Sequence, residues 1–324
     1  MKKEENMRVC RYWHRTLCMI AVLVLPAMHI WSQDVLPEVP DNDIKQDCIA
    51  PLGDMRSSLQ LVSIAHMMPT GFKETMDNKI DDPNASLDAF FEKLEHMDRP
   101  IRIVHIGDSH VRGHIFPYMV RQLLEADFGK EAVRDIAVDY RTSGIAHETG
   151  KPGLVYHIIG VNGATCATYN TPERIKEVKD LNPDLIISSF GTNEAHSRYY
   201  TSGEFLLQME SLLATLRNTC PSASILMTTP PGAYVRKGGQ RIINTRTPKV
   251  VETQKKFSRD YKIALWDMYD IVGGAQSACL NWTSAKMYQR DKIHFTAEGY
   301  KLQGMLLHEA FIKAYNDYVA ASFN

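Results

Sequence analysis

IRIVHIGDSHVRG, residues 101–113, decides how this chain is read. Ile101, Ile103, Val104 and Ile106 form a short apolar run, broken by Arg102 and His105, that predicts a buried strand. Gly107-Asp108-Ser109 then turns, and residues 111–128 follow with helical spacing. A serine on a tight turn between a strand and a helix is well placed as a nucleophile. The strand fixes it, glycine permits the turn, and the helix N-terminus offers N–H groups to a developing oxyanion. The same residues also describe an ordinary serine helix cap, so the rest of the chain has to decide.

Working outward, the pattern alternates. A helix with Leu87, Phe90, Phe91 and Leu94 on one face, capped by Asn84 or Ser86, precedes the strand. After Ser109, Phe116, Met119, Val120, Leu123 and Leu124 form a helical stripe that ends at Gly129, with Pro117 near the first turn. Residues 154–159 predict a second strand running into Gly160-Val-Asn-Gly163-Ala-Thr165. Thr171-Pro172-Glu173 starts a helix that Asn182-Pro183 stops. Residues 184–190 predict a third strand, running directly into Gly191-Thr-Asn193-Glu194. A helix with Phe205, Met209, Leu212, Leu213 and Leu216 follows, then a strand at 225–228, a helix at 248–260 and a short strand at 263–266. Thr296 caps a last helix carrying Gly304, Leu307, Phe311, Ala314, Tyr315 and Tyr318. Such alternation predicts an α/β fold with a parallel sheet covered on both faces. In these sheets function gathers beyond the carboxyl ends of the strands, and all three unusual loops lie there.

Composition narrows the class. The 324 residues allow one large α/β domain with an extension, or two modest domains. A net charge of −1 gives no electrostatic case for nucleic acid. Lys2, Lys3, Arg8, Arg11 and Arg15 precede the apolar residues 17–25, with Pro26 and Ser32 beyond. This predicts an export signal over residues 1–33, with a membrane anchor as the alternative. The apolar stretch is shorter than the roughly 20 residues of a spanning helix. Export makes the mature protein periplasmic or envelope-bound, without a membrane span. Residues 34–99 form an extension with one helix, and residues 100–324 the main domain. Cys48, Cys166, Cys220 and Cys279 remain after export, either in disulfides or as free buried thiols.

A serine needs a base, and the base needs an orienting partner. Asp291-Lys-Ile-His294, before the last helix, supplies both. The spacing of three lets the carboxylate reach one imidazole nitrogen while the other faces Ser109. An oxyanion hole needs donors, and Gly163 N–H, the Asn193 amide and the Ser109 N–H are the candidates. The four segments GDSH (107–110), NGAT (162–165), GTNE (191–194) and DKIH (291–294) resemble, in order and spacing, the four blocks of the SGNH (GDSL-type) hydrolases. The resemblance covers roughly residues 100–320. It implies a flavodoxin-like three-layer α/β/α sandwich. It also implies Ser109 as nucleophile, His294 as base, Asp291 as its orienter, and Gly163 and Asn193 in the oxyanion hole. His110 stands where Leu is commoner and Glu194 where Asp is commoner. Both, with export, resemble the bacterial peptidoglycan O-acetylesterase branch.

The expectation is therefore an exported serine esterase acting on an O-acetylated carbohydrate, peptidoglycan first, without cofactor or metal. An esterase or acyltransferase on another acetylated polysaccharide, or a binding module on the same fold, are the alternatives. His110 and His114 are spaced like a metal-binding pair, but no third ligand accompanies them. Cys166 lies near the oxyanion loop without a base at a telling spacing. Tyr199, Tyr200, Tyr234 and Arg236 either line a sugar groove or are ordinary loop residues.

Overall fold

The computed structural model describes residues 61–134 and 144–322. The segment expected to direct export, the first part of the extension, and Cys48 lie outside the described residues. In chain order the elements are β1 (Ile80–Asp81), α1 (Asp88–His96), β2 (Pro100–Gly107), α2 (Ser109–Arg112), α3 (Ile115–Phe128) and β3 (Gly153–Gly160). There follow α4 (Cys166–Tyr169), α5 (Pro172–Asp180), β4 (Leu185–Ser189), α6 (Thr192–His196), α7 (Ser202–Thr219) and β5 (Ser224–Thr228). The last are β6 (Tyr234–Lys237), β7 (Gln240–Ile243), α8 (Thr247–Tyr261), β8 (Ala264–Trp266), α9 (Met268–Ile271), α10 (Gly274–Ser284) and α11 (Ala297–Ala321).

The six-stranded sheet runs β1-β8-β5-β4-β2-β3. Its five main strands are parallel, and β1 pairs antiparallel with β8 at one edge. The parallel strands, counted along the chain, lie in the flavodoxin-like order 2-1-3-4-5. In β2 the side chains alternate. Ile101 and Ile103 join the core built with α1, α3 and α11, whereas Val104 and Ile106 join the core built with α5, α7 and α8. The result is a three-layer α/β/α sandwich. His105 does not interrupt the strand's burial: its Nδ1 pairs with Tyr156 Oη at 2.8 Å and its Nε2 with Ser189 Oγ at 2.7 Å.

Three local features depart from the sequence reading. The helix expected after Ser109 is two helices, broken at Gly113 and His114, where φ of His114 is +67°. The cap of α1 is neither Asn84 nor Ser86. Asp82 accepts the Ser86 and Leu87 amides at 2.9 Å each. A β6–β7 hairpin and the helix α10 appear where no element was expected.

Residues 61–81 cross the outside of α11 and end as β1. Glu309 Oε2 accepts the Met67 N–H at 3.1 Å and the Asn78 amide at 3.1 Å. Asn78 also donates to Leu306 O at 2.8 Å and accepts from Trp266 Nε1 at 3.0 Å. Phe90 and Phe91 of α1 meet Phe311 edge-on at centroid distances of 6.0 and 5.6 Å. No helix among the described residues is long and apolar enough to cross a membrane.

Candidate active site

In this strand order the chain reverses direction across the sheet between β2 and β4, and ligands bind at such switch points. Ser109 is the first residue of α2, directly beyond β2. Asp108 caps this helix, its Oδ1 accepting the His110 amide at 2.9 Å. Gly160, at the end of β3, passes under α2. A Cβ there would lie 2.1 Å from Arg112 N, so the helix that begins with Ser109 rests on a position that admits only glycine. Ser109 Oγ is 2.9 Å from His294 Nε2, and His294 Nδ1 is 2.6 Å from Asp291 Oδ2. Asp291 Oδ1 also accepts the Ile293 and His294 amides at 2.9 and 3.0 Å. Partial burial raises the Asp291 carboxyl, but hydrogen bonds from the His294 imidazole and these two amides outweigh it and hold the group below its ordinary value. The loop carrying both residues is closed by an antiparallel bridge between Tyr288 and Phe295.

The two candidate oxyanion loops meet beside Ser109. Gly163 has φ +72° and is exposed at the turn after β3. Asn193, in α6 beyond β4, donates its amide to Ala164 O at 2.9 Å and to Asp108 Oδ2 at 3.3 Å. Glu194 ties the loops together: Oε1 accepts the Cys166 amide at 2.8 Å and Oε2 the Gly191 amide at 2.9 Å. Burial holds the Glu194 carboxyl above its ordinary value despite these donors, and pushes Asp108 up to about 8. The sequence reading noted Glu194 only as a departure and gave Asp108 no role. Their partners are fixed by folding, and Glu194 reaches Cys166, 28 residues away in the chain.

The remaining candidates are placed plainly. His110 is buried, with Nδ1 3.0 Å from Tyr300 Oη, and its ring centroid lies 5.4 Å from that of His294. Burial pushes the His110 imidazole down to about 3, and the neighbouring His294 acts in the same direction. The break at Gly113 prevents His110 and His114 from sharing one helix. Among the described residues, no cluster of three or more His, Cys, Asp or Glu side chains is arranged to hold a metal ion. Cys166, Cys220 and Cys279 are buried free thiols, and burial raises the Cys166 thiol far from the thiolate form a nucleophile needs. Tyr200 and Tyr234 are structural: Tyr200 Oη lies 3.0 Å from Thr253 Oγ1, and Tyr234 Oη 3.0 Å from Thr283 Oγ1. Tyr199 is 71% exposed, with the Arg198 guanidinium 4.8 Å from its ring centre, and Arg236 is exposed on the hairpin.

Comparison with known proteins follows the same line. A solved peptidoglycan O-acetylesterase superposes with a TM-score of 0.63 at 18% identity, covering 74% of this chain and 99% of its own. A solved acetyl xylan esterase gives 0.48 at 13% identity, over 65% of this chain and 99% of its own. An acetylxylan esterase from Geobacillus stearothermophilus gives 0.43 at 17%, over 66% and 94%. Identities this low speak for the fold alone. No curated protein matches the chain in sequence. The sequence profile of the GDSL-like Lipase/Acylhydrolase family matches residues 106–302, and the chain belongs to that family.

Proposed function

We propose that this protein is an exported serine esterase that removes O-acetyl groups from a carbohydrate, peptidoglycan first among them. The observation that carries this reading is the unbroken hydrogen-bonded chain from Ser109 Oγ through His294 to Asp291, at 2.9 and 2.6 Å, at the switch point of the sheet. Ser109 Oγ attacks the ester carbonyl while His294 Nε2 takes its proton. The tetrahedral oxyanion is held by the N–H groups of Ser109 and Gly163 and by the Asn193 amide. In the free enzyme that amide's longer contact, 3.3 Å to Asp108, is the one an oxyanion displaces. The C–O bond to the sugar breaks as His294 returns the proton to the leaving oxygen. Water, deprotonated by His294, then attacks the acetyl-enzyme and releases acetate with Ser109 restored. Asp291 keeps the imidazole in the tautomer that presents Nε2 to Ser109. The likeness in fold to a peptidoglycan O-acetylesterase supports the choice of substrate. The basic and apolar run of residues 2–25 supports export.

The test is acetate release from O-acetylated peptidoglycan and from acetylated xylan, by the protein and by Ser109→Ala. Release from peptidoglycan alone, lost in the variant, is the expected result. Release from xylan alone transfers the reading to plant polysaccharide. Release that survives Ser109→Ala overturns the assignment of the nucleophile. Recovery of the protein in the cytoplasmic fraction of its host overturns export.

A further inference from the structure

Between Glu210 and Glu252 the chain has no acidic residue and six basic ones: Arg217, Arg236, Lys237, Arg241, Arg246 and Lys249. The whole chain is almost balanced, with 37 basic and 38 acidic residues, so the stretch is a local excess of charge. Three of the six, Arg236, Lys237 and Arg241, are exposed on the β6–β7 hairpin. This hairpin buries little of itself, and an isolated two-stranded hairpin is marginal in water. It leans instead on the loop that holds the base. Tyr234 N donates to Lys292 O at 3.0 Å, and the Arg241 guanidinium donates to the backbone carbonyl of Asp291. That loop adds Arg290, which is exposed, and Lys292, whose ammonium lies 5.5 Å from the centre of the Tyr288 ring.

Among the described residues none of these five cations is ion-paired with a carboxylate. The nearest acid in sequence, Asp291, has its carboxylate engaged by His294. Among the described residues Arg241 donates to a neutral carbonyl and Lys292 lies over aromatic rings, contacts that bring no opposite charge. A cluster of one sign at the rim of a site raises the local concentration of oppositely charged substrate and weakens with added salt.

We infer that the β6–β7 hairpin and the Arg290–Lys292 corner form a subsite for anionic sugar residues, and that the substrate is an acetylated glycan carrying carboxylates. The inference rests on the esterase reading and deepens it. The subsite holds sugars flanking the one that bears the ester, because Arg241 reaches the loop behind His294 and not Ser109.

The experiment uses O-acetylated polygalacturonate and the same polymer after methyl esterification, which keeps the backbone and removes the charge. Acetate release is measured for the protein and for the doubly substituted variant Arg236→Glu/Lys237→Glu. The expected result is a lower KM on the charged polymer, rising as salt is taken from about 20 to about 500 mM. In the variant the ratio of kcat/KM on charged to neutral polymer falls at least about tenfold. Arg236→Gln/Lys237→Gln gives a smaller fall in the same direction. Equal ratios in the protein and both variants, or a KM indifferent to salt, overturn the subsite. Ser109→Ala is run separately through gels containing polygalacturonate, where binding is read without turnover. Retardation by the charged polymer, with no acetate released from it, from O-acetylated peptidoglycan or from a small acetyl ester by the active protein, keeps the subsite and overturns the esterase. Acetate release without retardation or charge preference does the reverse.

Discussion

On one side of the Ser109–His294 hydrogen bond stand two buried carboxyl groups, Asp108 at 2% exposure and Glu194 at 4%. On the other side the side chains of His294 and Asp291 are 34% and 41% exposed. The first half of the site is held by carboxyl groups placed inside the protein, where each oxygen must be matched by a hydrogen-bond partner or its desolvation is not offset. Glu194 meets that demand with two loop amides, and Asp108 with the His110 amide and the Asn193 side chain. The second half is a short loop that organises itself, with Asp291 accepting from residues two and three places ahead. The contrast suits the chemistry proposed for the site. Oxyanion donors work only where they need not reorganise, while the base has to take and return protons beside water.

The largest effect belongs to the exposed half. His294→Ala is expected to lower kcat on a small acetyl ester by at least about 10⁴-fold with KM little changed. Asp291→Asn sharpens the contrast. A buried orienting carboxylate contributes about 10⁴-fold, and the exposed Asp291 is expected to contribute less, about 10²- to 10³-fold, because water can replace part of its interaction. A loss as large as that of the buried case would erase the distinction between the halves. Asn193→Ala is expected to cost about 10²- to 10³-fold in kcat.

The buried half answers in stability as well as rate. Glu194→Gln turns an amide N–H toward one of two backbone donors and is expected to destabilise the fold by about 1–3 kcal/mol, read from denaturant unfolding. The smallest effect is a slope. With its pKa raised to about 8, folded Asp108 holds a proton that the unfolded chain has already released above about pH 4. Stability from this group is therefore complete below about pH 4, declines as pH rises toward 8, and levels off beyond. Asp108→Asn is expected to flatten the thermal midpoint between pH 5 and 8, and an unchanged slope removes Asp108 as its source.

Much of this was legible in the sequence, for physical reasons. The first three parallel strands announced themselves through apolar runs that lead into glycine, and three of the four blocks fall at their carboxyl ends. The contact of Asp291 with His294 was readable because the two lie three residues apart. What escaped depends on distance along the chain or on exposure. The Glu194 tie to Cys166 spans 28 positions. The break at His114 lies within one turn of where α2 rests on Gly160, a contact no local pattern records. The two-residue strand β1 is too short for any periodicity. The hairpin carried its signal, Gly238-Gly239 between runs containing valine and isoleucine. Its exposed cations hid the alternation that marks a half-buried strand.

The segment that crosses α11 bears on where the folding unit begins. The family match starts at residue 106, yet Glu309, almost fully buried, is satisfied in part by Met67 and Asn78, far upstream of it. A chain begun at residue 106, with α11 kept whole, would leave that carboxylate with Lys313 as its remaining ionic partner, unpair the edge of β8 and strip Phe90 and Phe91 from Phe311; ended at residue 302 as well, it would lose Glu309 and Phe311 themselves. The smallest piece of this protein that keeps its core intact is thus longer than the piece that carries its family signature. Boundaries drawn by sequence likeness would cut through a seam the fold relies on.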